Sequence, residues 1–393
     1  MKSWLKYIYL FACCTVMLSS CILEEEVLDA ADSCETTVEL TLSYSDGSPM
    51  SRDVSPDDDD NLDYTTVEQK ALILEDIYIL AFKVEDDDTD QLIGLVEDLS
   101  MVGNTIKGRM RPQSPGIDVY FAVLANLAQN NITDAEGEEI EDILDFLNDM
   151  IGQPSNVVYQ NLIYNTSNGK WLDEYNETTE EWEPRIPMWG RTRVNPLGIA
   201  SNINEGCDLY RALAKVQIWI GNKSGIKGTK SDGSYDFKIT KITVKDANSV
   251  GYCVSLNTPD PDINTQYTVP SIPDYASLGN IVYSSFTDEQ KSTAFSDMIY
   301  LPEQINVGEN ATPVKILVEY SYNGTNYTGD KAGVIEFTDA DGAYNVIRNH
   351  SYVFNITGIS EPVNPVLQYQ VMNWTSVPNP DLYFGNTDGN VNN

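Results

Sequence analysis

The sequence predicts a mainly all-β protein, two β-sandwich-like domains with one or few short helices. Three observations predict it. Apolar and polar residues alternate with a period of two in several segments along the chain, the pattern of a strand buried on one face. Turn dipeptides separate the later segments, Asp232-Gly233, Asn323-Gly324 and Asp341-Gly342, as hairpin-connected strands require. Only one stretch repeats apolar residues at helical spacing.

The clearest strand is Thr36 to Tyr44. Val38, Leu40, Leu42 and Tyr44 fall on one side, Thr37, Glu39, Thr41 and Ser43 on the other, and Asp46-Gly47-Ser48-Pro49 ends it. Leu72 to Val84 is apolar on both faces beyond Asp76, and Ile117 to Leu124 has the same character; both read as central strands. Between Glu136 and Ile151, the residues Ile140, Ile143, Leu144, Leu147 and Ile151 recur at helical spacing. The acidic first turn of that helix suits its dipole. Leu172 to Pro187 is polar and Trp-rich and reads as loops. A fresh block of strands begins near Cys207: Ala214 to Ile220, Phe237 to Val244, Val314 to Tyr322 and Tyr352 to Ile359. The last strand carries Leu367, Tyr369 and Val371 on one side and closes on Trp374. The expected domains are 53–205 and 206–393, the second holding this terminal strand.

The chain has 393 residues, 41% of them hydrophobic, enough for buried cores. Its formal charge of −36 repels phosphate backbones, so nucleic acid is excluded as a partner. With 23 Tyr, 10 Phe and 6 Trp it is too aromatic for a disordered acidic chain. Residues 1–20 read as an export signal: Lys2 and Lys6 are followed by the apolar run Tyr7 to Met17, too short to span a bilayer. Leu18-Ser19-Ser20-Cys21 resembles a bacterial lipobox, with Cys21 as the lipidated mature N-terminus. Glu24-Glu25-Glu26 resembles surface-export signals of lipoproteins in the Bacteroidetes, and reads equally as a solvated linker. Residues 21–52 are then a tether plus the first strand. Arg52 is the only basic residue between Lys6 and Lys70, and a lone Arg in a polar loop is an accessible protease site. Cys34, Cys207 and Cys253 remain, an odd number at no metal-ligand spacing. A Cys207–Cys253 disulfide and a pair of buried thiols both stay open.

Little in the sequence points to catalysis. His350 is the only histidine, so any imidazole-based triad must use it; its place at the start of a strand suggests a local hydrogen bond instead. Phosphate-loop, zinc-protease and nucleophile-elbow motifs are missing. Asp57 to Asp60 lacks the glycine and spaced oxygens of a calcium loop. Trp171, Trp182 and Trp189 would suit a sugar-stacking platform, and at irregular spacing they suit core and loop positions better. No catalytic residue, metal or cofactor is expected.

Five features in order resemble the fimbrillin family, the lipoprotein-derived pilins of Bacteroidales called type V pilins. They are the lipobox at Cys21 with a strand and Arg52 after it; Tyr120-Phe121-Ala122-Val123-Leu124-Ala125-Asn126; Ile186-Pro187-Met188-Trp189-Gly190; and Leu209-Tyr210-Arg211-Ala212-Leu213-Ala214-Lys215-Val216. The fifth is Tyr300-Leu301-Pro302-Glu303 with Val346-Ile347-Arg348-Asn349-His350-Ser351-Tyr352 and a strand ending at Trp374. The resemblance implies two transthyretin-like sandwich domains, lipoprotein export to the outer membrane, and removal of the first strand by an arginine-specific protease at the cell surface. The vacated groove then receives a strand from another fimbrial subunit. Mapped here, the removable strand carries Val38, Leu40, Leu42 and Tyr44, the cut follows Arg52, and the donor strand carries Leu367, Tyr369, Val371 and Trp374. The long acidic stretch after Arg52 departs from the expected pattern at the cut. The expectation is a fimbrial subunit supporting adhesion to a host or bacterial surface ligand. A tip or anchor subunit, and a surface glycan-binding lipoprotein using the Trp residues, are the alternatives.

Overall fold

The computed structural model describes residues 36–44, 72–85, 90–111, 116–128, 130–166, 174–176, 181–197, 202–220, 237–256, 269–283, 294–309, 311–322, 324–339, 342–360 and 364–373. Cys21, Cys34, Arg52, Asp57 to Asp60, Trp171 and Trp374 lie outside them.

The first part of the chain runs β1 (Thr36–Tyr44), β2 (Ile77–Lys83), β3 (Gln91–Leu95), β4 (Glu97–Val102), β5 (Thr105–Met110) and β6 (Ile117–Ala125). Two helices follow, α1 (Ile143–Asp149) and α2 (Ser155–Gln160). Then come β7 (Ile163–Asn165), β8 (Glu174–Asn176), β9 (Glu181–Glu183), β10 (Met188–Arg191), β11 (Asn195–Leu197) and β12 (Asn202–Arg211). A nine-stranded sheet takes most of these in the order β3-β2-β6-β10-β12-β1-β5-β4, with β11 on β6. The sheet curls on itself. Val38, Leu40 and Leu42 of β1 share one apolar cluster with Ile77 and Ile79 of β2, Phe121 and Val123 of β6, and Cys207 and Leu209 of β12. The opposite faces of β2 and β6 carry Leu80, Phe82, Tyr120 and Leu124, which pack on Ile143 and Leu147 of α1 and Val158 and Tyr159 of α2. Burial on both faces is why these two strands read as unbroken apolar runs.

The second part runs β13 (Ala214–Ile220), β14 (Phe237–Asn248), β15 (Val250–Tyr252), β16 (Leu278–Tyr283), β17 (Ala294–Leu301) and β18 (Lys315–Tyr322). It ends with β19 (Thr325–Tyr327), β20 (Gly333–Glu336), β21 (Thr338–Asp339), β22 (Gly342–Ala343), β23 (His350–Ser360) and β24 (Asn364–Asn373). One sheet has the order β17-β13-β23-β24; the facing sheet has the order β16-β14-β18-β19, with β20 on β18. Alternate residues of both, such as Val216, Ile218, Phe354 and Ile356 against Ile242, Val244, Ile316 and Val318, fill the space between them. That is a sandwich core.

Several expectations change in detail. The expected helix over 136–151 shortens to Ile143–Asp149. Asp134 accepts hydrogen bonds from the backbone N–H groups of Glu136 and Glu138, and Thr133 bridges Glu139, so the chain before Asp142 is held as a turn. Asp142 then caps the helix, its side chain accepting from Asp145 N–H at 3.0 Å. Leu144 and Ile151, expected on the buried face, are 50% and 45% exposed. The stretch read as loops, 172–187, contains a hairpin of β8 and β9 with Tyr175 opposite Trp182. The division expected at 205/206 falls inside β12, which stays bonded to the first sheet as far as Arg211.

Candidate functional site: the β1 groove and the joint behind it

β1 is an inner strand. It runs parallel to β12 from Thr37 opposite Asn202 to Tyr44 opposite Leu209. On its other side it runs antiparallel to β5 from Thr36 opposite Met110 to Thr41 opposite Thr105. Alternation does the rest: Val38 and Leu40 are 0% exposed and Leu42 is 2% exposed. Side chains of this size contribute about 1.5–3 kcal/mol each on burial, before ordering costs are subtracted. The polar side is held more lightly. Glu39 pairs with Lys107 at 2.8 Å, half in solvent, and such pairs contribute little. Ser43 Oγ donates to Asp208 Oδ1. At the far end Leu42 N–H donates to Asn104 O at 2.8 Å, and Asn104 Nδ2 donates back to Leu42 O at 2.9 Å.

Cys207 lies beside this strand on β12, directly opposite Leu42 in the register. It is 1% exposed and its thiol is free. Burial, and after it the Asp208 carboxylate, push the thiol well above its ordinary value. Gly190 of β10 backs the same spot: a Cβ there would collide with the backbone oxygen of Asp208 and come within 2.9 Å of Cys207 Sγ. Cys253 belongs to the other cluster of the first half, beside Ala212 and Leu213, and is also a free buried thiol. The choice left open in the sequence resolves as two separate thiols.

The proposed donor residues Leu367, Tyr369 and Val371 lie in β24, opposite Ile356, Phe354 and Tyr352 of β23. β24 pairs with β23 from His350 opposite Asn373 to Ser360 opposite Asn364, at the edge of its sheet.

Segments far apart in sequence meet where the two halves join. β7 of the first half pairs with β15 of the second, Tyr164 opposite Gly251. Tyr164 Oη donates to Ala212 O at 3.1 Å. Arg348, 1% exposed, donates to Glu303 Oε2 at 2.6 Å, to Tyr252 O at 2.9 Å and to Cys253 O at 3.3 Å. His350 is 0% exposed with Nδ1 2.7 Å from Arg348 O, the local bond its position suggested. The joint thus combines the β7–β15 pair with the Leu209 to Val216, Tyr300 to Glu303 and Val346 to Tyr352 segments. Trp189 does not serve a sugar platform. It is 2% exposed and packs between Tyr159 and Tyr210. Among the described residues no group of three or more His, Cys, Asp or Glu is placed to hold a metal ion. No described helix is long and apolar enough to cross a membrane.

Sequence reasoning found β1 and its buried face. It missed the groove's polar contacts, Asn104, Lys107 and Asp208, because each sits on a strand or turn whose neighbour in space is remote in sequence. Asp208 is 165 residues from Ser43.

The fold and the site define a two-sandwich β protein whose first strand is clasped between two later ones. No family model and no curated protein matches the chain. Solved structures do. A candidate cell adhesion protein from Parabacteroides distasonis is 14% identical over 88% of this chain and 99% of its own, with a TM-score of 0.48. The tip fimbrial protein Mfa3 from Porphyromonas gingivalis, truncated at its C-terminus, is 12% identical over 86% of this chain and 100% of its own, with a TM-score of 0.47. A fimbrial assembly protein from Parabacteroides distasonis is 13% identical over 86% of this chain and 96% of its own, with a TM-score of 0.40. Each score is below 0.5, and it is the strand order of this chain itself that bears on function.

Proposed function

We propose that the chain is a fimbrial structural subunit, exported as a lipoprotein through Cys21 and assembled at the cell surface by strand exchange. The observation that carries this reading is the position of β1. It is the first strand among the described residues, yet it sits inside a sheet between β12 and β5. Its only covalent link to the other strands passes through the segment that contains Arg52. A cut after Arg52 would leave β1 held by non-covalent contacts alone. Its departure would open an apolar groove flanked by two unpaired edges, which must be refilled to avoid indiscriminate association. Refilling by a strand of a second subunit gives affinity through main-chain bonds and specificity through alternate side chains. Such a contact is head-to-tail and need not close, so it builds a filament. Other fimbrial subunits and an arginine-specific protease are the partners this requires, with a surface ligand for the finished fimbrium.

The test is the intact mass and N-terminal sequence of protein sheared from its native cells. A chain that begins at Asp53 without lipid is expected, and Arg52→Ala should abolish both that product and the filaments. Sheared protein beginning at acylated Cys21 would overturn the reading in favour of an anchor.

A tip subunit is the second reading, and one observation favours it. β24 is fully paired with β23 of its own sheet, as suits a subunit that accepts a strand and gives none. Removing Tyr369 to Asn393 should halt polymerisation if β24 is donated. A tip subunit so shortened should still be incorporated.

A further inference from the structure

β12 and β13 follow one another with only the bend at Ala212 and Leu213 between them. β10 lies along one edge of β12. Trp189 stands opposite Tyr210, Ala212 N–H donates to Pro187 O at 2.8 Å, and Gly190 presses on the backbone oxygen of Asp208. β1 therefore occupies the other edge, from Asn202 to Leu209. Backbone groups alternate in direction along a strand, so Arg211 N–H, at the end of β12, also faces the β1 edge, and Leu213 C=O follows it in the bend. One residue takes both. Asn349 Oδ1 accepts from Arg211 N–H at 3.2 Å and from Arg211 Nη1 at 3.3 Å. Asn349 N–H donates to Leu213 O at 2.8 Å. Two residues later β23 begins its own parallel pairing, Ser351 opposite Lys215. Along this stretch of chain the order is β1 on β12, then Asn349 at the bend, then β23 on β13, each strand parallel to the one it flanks.

Asn349 is firmly placed. It is 3% exposed and its φ is +55°, a conformation that Asn tolerates better than other residues with a side chain. β1 ends with Tyr44 opposite Leu209. A strand carried two residues further along β12 would put Tyr44 opposite Arg211 and would need the N–H that Asn349 holds.

We infer that Asn349 is an end stop, a side chain from the second sandwich that fixes the register of whichever strand fills the β1 groove. For β1 this stands on the geometry alone; for an incoming strand it rests on the strand-exchange reading. A slip of one residue would turn every apolar side chain outward and is excluded by burial. A slip of two keeps the apolar face inward, so burial alone does not forbid it. Asn349 adds, at the β12 edge, to the discrimination that the Asn104 bonds to Leu42 give at the β5 edge and that alternation lacks.

Disulfide trapping against Cys207 tests this on the full chain, refolded from denaturant under oxidising conditions, with the linked peptides identified by mass spectrometry. Leu42→Cys stands opposite Cys207 in the native register, and adjacent strands bring opposite residues within disulfide range. Leu40→Cys reaches Cys207 only after a forward slip of two residues. With Asn349 present, Leu42→Cys should link and Leu40→Cys should give a trace. In Asn349→Gly the strand's own carbonyl can take Arg211 N–H, and the Leu40→Cys link should rise about tenfold, the population change one such hydrogen bond carries. Asn349→Asp keeps the acceptor and should keep the native register. If Asn349→Gly fails to fold, Asn349→Ser replaces it, its hydroxyl being too short to reach. A Leu40→Cys link that stays at trace level in the folded variant would overturn the end stop, as would slippage in Asn349→Asp. The assay needs no second subunit. A native-register chain that is never cut after Arg52 and builds no filaments on its own cells would sink the exchange reading alone.

Discussion

Leu40→Asp is expected to keep β1 from seating while the second sandwich stays folded. Leu40 is 0% exposed, midway along β1, opposite Glu205 on one side and Ile106 on the other. A carboxylate there would be buried without a cation, and Glu205 adds a like charge beside it. The cost is several kcal/mol, against a total stability of about 5–15 kcal/mol for a domain. Leu40→Ala should be milder, at about 2–5 kcal/mol. Among the described residues the core between β13, β23, β14 and β18 contains none of β1 or β12, so hydrogen-exchange protection of those strands should persist. The reporter is Cys207, which in the native chain should resist thiol reagents. Its thiol is held well above its ordinary value by burial, and β1 covers it. In Leu40→Asp it should label at the rate of an open thiol. The sign of the pH effect comes from the raised value. The closed state keeps the proton and the open state gives it up near the ordinary value of about 8.5. Closure of the native groove is therefore unaffected below that pH and weakens as pH rises above it. A Leu40→Asp protein with native melting and a protected Cys207 would show that β1 is not what closes the groove.

How far the groove could be read in advance depends on the range of the interactions. Val38, Leu40 and Leu42 declare a strand locally, and β1 begins and ends where their alternation does. That its partners are β12, in parallel, and β5, antiparallel, is a matter of closure over long loops, for which the segment itself holds no signal. The apolar runs of β2 and β6 were legible as central strands because burial on both faces leaves a one-dimensional trace. The helix over 136–151 was over-extended for a local reason. The Asp134 side chain offers the backbone of Glu136 and Glu138 an alternative to helical bonding that the spacing of the isoleucines does not register. Arg348 and Asn349 read as polar residues at the start of a strand, where exposure is the ordinary expectation. Their burial depends on Glu303, 45 residues before Arg348, and on Arg211, 138 residues from Asn349. Trp189, offered to a sugar in one reading, lies in the core because β10 is an inner strand between β6 and β12.

Arg348→Met should be the most damaging single change away from β1, lowering stability by about 3–5 kcal/mol as expected when one partner of a buried pair is removed. The guanidinium ties its own segment to two other pieces of the second half, Glu303 after β17 and Tyr252–Cys253 at the end of β15, and so holds Cys253 in the cluster that reaches into the first half. Its loss removes the cation from a buried carboxylate that keeps only weaker partners such as the residue 348 N–H, and takes the donor from two carbonyl oxygens. Glu303→Gln should cost less, since an amide oxygen still accepts from Arg348 and the two carbonyl contacts survive. The double variant Arg348→Met with Glu303→Leu should recover part of the loss, because much of the single-variant penalty is the abandoned charge rather than the missing attraction. The form of the transition matters as much as its midpoint. The apolar cluster that holds α1, α2, Trp189 and Leu124 also holds Ala212, Leu213, Val254 and Tyr300, so both halves share a core at the joint. The intact chain should unfold in one step. In Arg348→Met the joint should loosen first, and calorimetry should resolve two transitions. One transition at a lowered midpoint would mean that the shared apolar cluster, and not the ion pair, couples the halves. In a filament built by strand exchange the distinction has a consequence. β1's groove lies in the first sheet and β24 lies in the last, so tension between neighbours crosses this joint, and a subunit with a loosened joint would assemble and then shear more easily.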